Sequence, residues 1–232
     1  MIFLKEKYQI VLLYILFGFG GLWHILEMFQ HLMQWLAGPL MITVSVILVY
    51  KVFHSSRKST RWKKGIWMSG VILLGWAIEY LGVSTGFPFG NYRYGEVLLP
   101  QLAGIPIAIG FAWLSITLSS IHIAHIVFIH FKIPSQLRIY FIPLSTALLM
   151  VIFDLFMEMT APALGYWNWE FGFIPLSNYI TWFLLGFVFS LIWVILESRE
   201  EHLPAFTYHV YFSQLLYFLL VIIKFLFNTI TN

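Results

Sequence analysis

The sequence contains no cysteine, which excludes disulfides, thiolate nucleophiles and any metal or redox centre built on cysteine sulfur. Charge is scarce as well. Only 10% of the residues are Asp, Glu, Lys or Arg, against about 25% in soluble domains. With 60% hydrophobic residues and a mean hydropathy of +0.85, the chain reads as an integral membrane protein. Seven apolar stretches approach the roughly 20 residues a crossing helix needs, at roughly 8–28, 32–52, 65–83, 104–126, 138–160, 176–197 and 206–228. They fill residues 1–232 as a single all-α, polytopic membrane domain and leave no room for a separate soluble one. The first stretch starts with Lys5 and Lys7 but has no small-residue cleavage motif, and Gly18-Phe19-Gly20-Gly21 lies inside it. It is therefore expected to be a retained helix.

With seven spans, Lys5, Lys7, Lys51, Arg57, Lys58, Arg61, Lys63, Lys64, Lys132, Arg138 and Arg199 fall on one side, and only Arg93 and Lys224 on the other. The positive-inside rule then predicts a cell-membrane protein with a cytoplasmic N-terminus and an extracytoplasmic C-terminus. Acids divide the opposite way. Glu27, Glu79, Glu96, Asp154, Glu158 and Glu170 lie toward the outer side, and Glu6, Glu197, Glu200 and Glu201 stay with the basic one. The basic excess is thus an orientation signal and not a nucleic-acid footprint; membrane lipid is the partner it implies.

The chain is organised around residues 76–106. Glu79 lies near the end of an apolar stretch, and a Gly/Pro-punctuated aromatic loop with Arg93 and Glu96 follows. Ionisable groups at a membrane edge are costly and mark function by default. The loop is too long for a connector and too aromatic for a solvated linker, so it is expected to fold back as a cap.

A second copy of the pattern follows. Glu79, Thr85, Gly90, Tyr92 and Tyr94 share their spacing with Asp154, Thr160, Gly165, Trp167 and Trp169. After each loop, Ile-Pro is followed seven residues later by Trp: Ile105-Pro106 with Trp113, and Ile174-Pro175 with Trp182. Two duplicated helix-loop-helix units, helices three and four and helices five and six, would each bring an acid to a shared site. Asp154 and Glu158 are four apart and stack on one helical face. Two such acids at a membrane edge can hardly both be ionised, so one is expected to keep its proton, as a general acid requires.

His24, Glu27 and His31 are spaced to share one face at the end of helix one, as an interfacial polar face or proton relay; no further ligand is indicated, and no metal is expected. Gly38-Pro39 is expected to open helix two. His122, His125 and His130 read as a solvated end of helix four. Lys224 sits near the outer end of helix seven, where a lysine can snorkel.

The run 79–94, Glu-Tyr-Leu-Gly-Val-Ser-Thr-Gly-Phe-Pro-Phe-Gly-Asn-Tyr-Arg-Tyr, with Ala-Gly-Ile-Pro at 103–106, Pro-Ala-Leu-Gly-Tyr-Trp-Asn-Trp at 162–169 and Ile-Pro-Leu-Ser-Asn-Tyr at 174–179, resembles the membrane carotenoid-biosynthesis hydratases. These are the family of bisanhydrobacterioruberin hydratase and gamma-carotene 1',2'-hydratase. The resemblance covers roughly residues 65–197. Met-Glu-Met-Thr-Ala-Pro at 157–162 departs from the family pattern and leaves open which of Asp154 and Glu158 matters more.

The resemblance implies a lipophilic carotenoid substrate and addition of water to the terminal 1,2 double bond of an acyclic carotenoid end. Protonating an unactivated alkene takes a dry acid, and the tertiary cation formed needs electron-rich neighbours. Asp154 or Glu158 would supply the proton and Glu79 would act as base and counter-charge. Tyr92, Trp113, Trp167, Trp169 and Trp182 would line the substrate, with Arg93 and Asn178 as positioning groups. Glu27, Glu96 and His24 are further candidates. No cofactor is required, because neither oxidation state nor group transfer is involved. A lycopene-type cyclase would use the same protonation, and a non-catalytic carotenoid- or lipid-binding or transporting protein would need no proton donor.

Overall fold

In the computed structural model, residues 4–197 and 202–231 are described, with side chains up to residue 226. Arg199, Glu200 and Glu201, counted above with the basic side, lie outside them. Seven helices follow in order: α1 (Glu6–Ile25), α2 (Gln30–Ser55), α3 (Lys58–Thr85), α4 (Ile107–His130), α5 (Arg138–Glu158), α6 (Leu176–Leu196) and α7 (Phe206–Thr231). All seven contain a stretch long and apolar enough to cross a membrane, so the protein is an all-α, multi-pass membrane protein.

The centre of the bundle is α4. It is apolar on every face, as a helix surrounded by others must be, and it packs on α2, α3, α5 and α7. Three of its hydroxyls bond back to its own backbone: Ser115 Oγ donates to the Ala112 carbonyl at 3.1 Å, Thr117 Oγ1 to the Trp113 carbonyl at 2.7 Å and Ser119 Oγ to the Ser115 carbonyl at 2.6 Å. Between helices in lipid, small residues allow close approach. A Cβ at Gly75 of α3 would collide with the Trp113 side chain, and one at Gly110 of α4 with the Ile72 backbone.

Four short strands occupy the loops at one end. Tyr92–Tyr94 (β1) pairs antiparallel with Trp167–Trp169 (β4), in the register Tyr92 with Trp169, Arg93 with Asn168 and Tyr94 with Trp167. Gln101–Leu102 (β2) folds back on Ile105–Pro106 (β3). Ala103 and Gly104 both have positive φ, 51° and 78°, which a two-residue hairpin turn demands. These pairings were not predicted from the sequence. The β1–β4 pair ties the 86–106 loop to the 159–175 loop, and the two close over the bundle as one cap.

At the opposite end a charged cluster fastens four helices. Glu197, just past α6, accepts from Arg138 of α5 and from Lys64 of α3 at 3.4 Å, and His125 Nε2 of α4 lies 3.8 Å away. The side chains of Lys64 and Glu197 are fully buried. Lys64 Nζ also sits 4.4 Å from the centre of the Trp193 ring.

Three local expectations are corrected by the structure. Pro39 lies inside α2 rather than at its first turn. The helix starts at Gln30, and Gly38 lets it pass against the Leu99 carbonyl of the cap. His122 and His125 are buried, because α4 stays enclosed by its neighbours to its last turns; only His130 of the three is exposed. Finally, α1 ends at Ile25, so His24, Glu27 and His31 share no helical face. Glu27 sits in the connecting turn with φ 56°, and His31 belongs to α2.

Candidate functional site

Beneath the cap lies a chamber with about 50 Å³ open to the centre of a water molecule, and Glu79 and Glu158 both line it. The sequence places these acids at the ends of α3 and α5, and the paired strands decide what meets them. Side chains alternate across a strand, so Tyr92 and Tyr94 turn inward together, and Trp167 and Trp169 do the same from β4.

Glu79 is held by three donors. Its Oε2 accepts from the Tyr92 hydroxyl and from the Tyr94 hydroxyl at 2.8 Å, and its Oε1 accepts from Trp113 Nε1 at 2.9 Å. Burial, and then the neighbouring Glu79 carboxylate, push both tyrosine hydroxyls well above their ordinary range. They therefore remain donors throughout the neutral range.

Glu158 is held in the same style from the other loop. Its Oε2 accepts from Trp167 Nε1 at 3.1 Å and Trp169 Nε1 at 2.8 Å, while its Oε1 lies 3.4 Å from Asn178 Nδ2. That amide also donates to Asp154 Oδ2 at 2.7 Å. Asp154 is fully buried behind Asn178, is not part of the chamber lining, and its Oδ1 has no hydrogen-bond partner among the described residues. No lysine or arginine lines the chamber among the described residues. Asp154 and Glu158 are thus two acids one helical turn apart that share one amide, with no cation on the chamber wall they back.

Aromatic faces make up much of the remaining wall. Trp113 and Trp182 stack with ring centroids 4.1 Å apart, the Tyr92 and Trp169 rings lie 5.1 Å apart, and those of Tyr94 and Trp167 5.9 Å. Ser177 Oγ of α6 donates to the Phe89 carbonyl at 2.8 Å and anchors the cap; Thr181 Oγ1, 2.7 Å from the Ser177 carbonyl, also lies 3.2 Å from the Pro88 carbonyl.

Of the residues singled out in the sequence, Glu79, Glu158, Tyr92, Trp113, Trp167, Trp169, Asn178 and Trp182 line this one chamber. Arg93 does not, because alternation turns it away from Tyr92 and Tyr94 and leaves it exposed. Glu96 is exposed on the cap. Glu27 is exposed and pairs with Lys224 Nζ at 3.0 Å. His24 accepts or donates with the Tyr217 hydroxyl at 2.9 Å, and Tyr217 in turn meets Tyr166 of the chamber wall at 3.4 Å.

Several lining residues went unrecognised in the sequence. Tyr94 was marked by the repeat but not assigned to the site. Phe89 and Tyr166 sit in loop runs with no period to expose their direction. Met41 and Gln214 come from α2 and α7, and only packing brings them here.

A family model described as carotenoid biosynthesis protein matches residues 37–231. Bisanhydrobacterioruberin hydratase of Haloarcula japonica is 28% identical over 134 residues, which cover 56% of this chain and 44% of the relative. The chain thus spans less than half the length of that relative. No solved structure matches significantly. A match across most of the chain, with the acid chamber inside it, identifies this seven-helix membrane protein as a member of the carotenoid biosynthesis protein family.

Proposed function

We propose that the protein is a carotenoid hydratase that adds water to the terminal double bond of an acyclic carotenoid end, without a cofactor. The observation that carries this reading is the pair Glu79 and Glu158, each fixed by three donors and both facing the same small aromatic chamber. The relative's name, a hydratase, supports the same chemistry.

In this reading Glu158 gives its proton to the =CH– carbon of the isopropylidene end, leaving a tertiary cation on the neighbouring carbon. Asp154, behind Asn178, acts as a positioning residue. Desolvation and the repulsion of two acids one turn apart, with no cation on the chamber wall, keep one proton on the pair. The faces of Trp113, Trp182, Trp167 and Tyr92 stabilise the cation by about 0.5–2 kcal/mol each when desolvated. Water then attacks the cationic carbon and passes a proton to Glu79. Glu79 has no second acid on its own helix with which to share a proton, and Tyr92, Tyr94 and Trp113 all donate to it, so it serves as the acceptor. One proton leaves Glu158 and one arrives at Glu79; its return to Glu158 restores both acids and leaves addition of one water as the net change. The basic end would face the cytoplasm, and the chamber would lie under the opposite leaflet.

Expression in a bacterial host that accumulates lycopene, with mass spectrometry of the pigments, tests the reading. A product one water heavier is expected. Unchanged mass with a shifted spectrum would mean cyclisation instead, and unchanged pigment would favour a non-enzymatic role.

A further inference from the structure

A second cavity adjoins the acid chamber, and it is the larger of the two, with about 130 Å³ open to the centre of a water molecule. Its walls come from α1, α2 and α7: Phe17 and Gly20, Ala37 and Leu40, and Tyr217. No charged side chain lines it among the described residues. Met41, Tyr166, Gln214 and Phe218 belong to both cavities, so the two meet at this neck.

The outer mouth is equally defined. Leu16 of α1 and Leu36 of α2 line the cavity and are themselves 37% and 47% exposed. The cavity therefore opens sideways between α1 and α2 toward the hydrocarbon of the bilayer. Gly20 keeps it wide on the α1 side. A Cβ there would reach the Tyr217 ring at 3.5 Å, and any larger side chain would project into the space.

We infer that this groove between α1, α2 and α7 is the seat of the substrate's polyene chain, which enters from the lipid and threads its end past Met41 and Gln214 to the acids. The inference rests on the hydratase reading for the identity of the occupant. The chamber has room for a reacting end group and water but not for a long hydrocarbon, so the rest of the chain must lie in a continuous apolar space. The groove is continuous with the chamber, is apolar, and opens where a lipid-soluble molecule resides.

The absence of native cysteine makes a direct test available. In lipid nanodiscs, Ala37→Cys places a single thiol in the groove wall, and Leu73→Cys places one on the lipid-exposed face of α3. The rate of modification by a membrane-permeant maleimide is measured with and without lycopene. At lycopene about ten times its dissociation constant, modification at position 37 is expected to slow about tenfold by simple occupancy, with position 73 unchanged. Adding Gly20→Leu should remove the protection. Equal rates at position 37 with and without lycopene overturn the proposal, as does equal slowing at both positions. Lipid acyl chains are present in every arm and form the baseline. The readout needs no turnover. Protection in a protein that makes no product would leave the groove standing and remove the hydratase reading, and turnover without protection would do the reverse.

Discussion

Trp113 and Trp182 stack on each other with their planes 21° apart, and each stands seven residues after an Ile-Pro that ends its loop. The strand register repeats the relationship, because Arg93 faces Asn168 while the flanking residues exchange partners. Corresponding residues of two helix-loop-helix units therefore meet at one local axis, as related units packed face to face would place them. The symmetry breaks at the acids. Glu79 is the only acid on its helix, whereas the other half has Glu158 and Asn178 where the first has Val83 and Ile109. Two similar halves thus yield one carboxyl alone on its helix and one pair that shares an amide, a difference the proposed acid and base roles use.

This division orders the effects of neutralising each acid. Glu158→Gln and Glu79→Gln are expected to abolish formation of the hydrated pigment. Asp154→Asn should lower the rate yet leave measurable product, since Asp154 acts through Asn178 and does not reach the chamber. Pigment analysis of the three variants at matched membrane expression checks the order. An Asp154→Asn protein as dead as Glu158→Gln would reassign the proton donor.

Removing one donor from Glu79 should weaken catalysis in steps. A hydrogen bond to a charged group contributes about 1.5–3 kcal/mol, so Tyr94→Phe is expected to slow turnover roughly tenfold to a hundredfold. The substitution deletes the 2.8 Å hydrogen bond to Oε2 and keeps the ring against Trp167. A stopped-time assay with purified protein checks the change in rate, and a cooperative thermal transition in the same sample shows that the variant is folded.

At the far end, Glu197→Ala takes away the buried carboxylate that Lys64 and Arg138 both reach. Breaking a buried ion pair by removing one partner costs about 3–5 kcal/mol, so the melting temperature in detergent should fall markedly. Removing Glu27, the exposed partner of Lys224, is expected to cost about 0–1 kcal/mol by comparison. Thermal unfolding of both variants by circular dichroism measures the contrast.

The cap tyrosines predict an alkaline limit. Burial raises the hydroxyl pKa of Tyr92, Tyr94 and Tyr166 above the ordinary value, so the folded state holds protons that the unfolded chain releases near pH 10. The unfolded state then binds fewer protons, and stability must fall as the pH rises through and beyond that point. Below it these groups contribute no pH dependence. Tyrosinate absorbance should accordingly appear together with unfolding, and in Tyr92→Phe the alkaline loss of stability should be shallower.

Composition and hydropathy determined the membrane class, the seven spans and their approximate limits, because a helix in lipid must satisfy its own backbone and needs a fixed length of apolar residues to do so. The repeat spacing likewise exposed Glu79, Asp154, Tyr92, Trp167 and Trp169 as a related set, since covalent spacing survives in the sequence whatever the packing. Tertiary structure alone decided which acid meets which donors. The antiparallel strand pair turned Tyr92 and Tyr94 in and Arg93 out, Asn178 of α6 came between Asp154 and Glu158, and Gln214 and Met41 arrived from helices with no motif to mark them. Those outcomes depend on the rotation and depth of helices packed against one another, and apolar stretches in a membrane carry too little polar contrast to encode either.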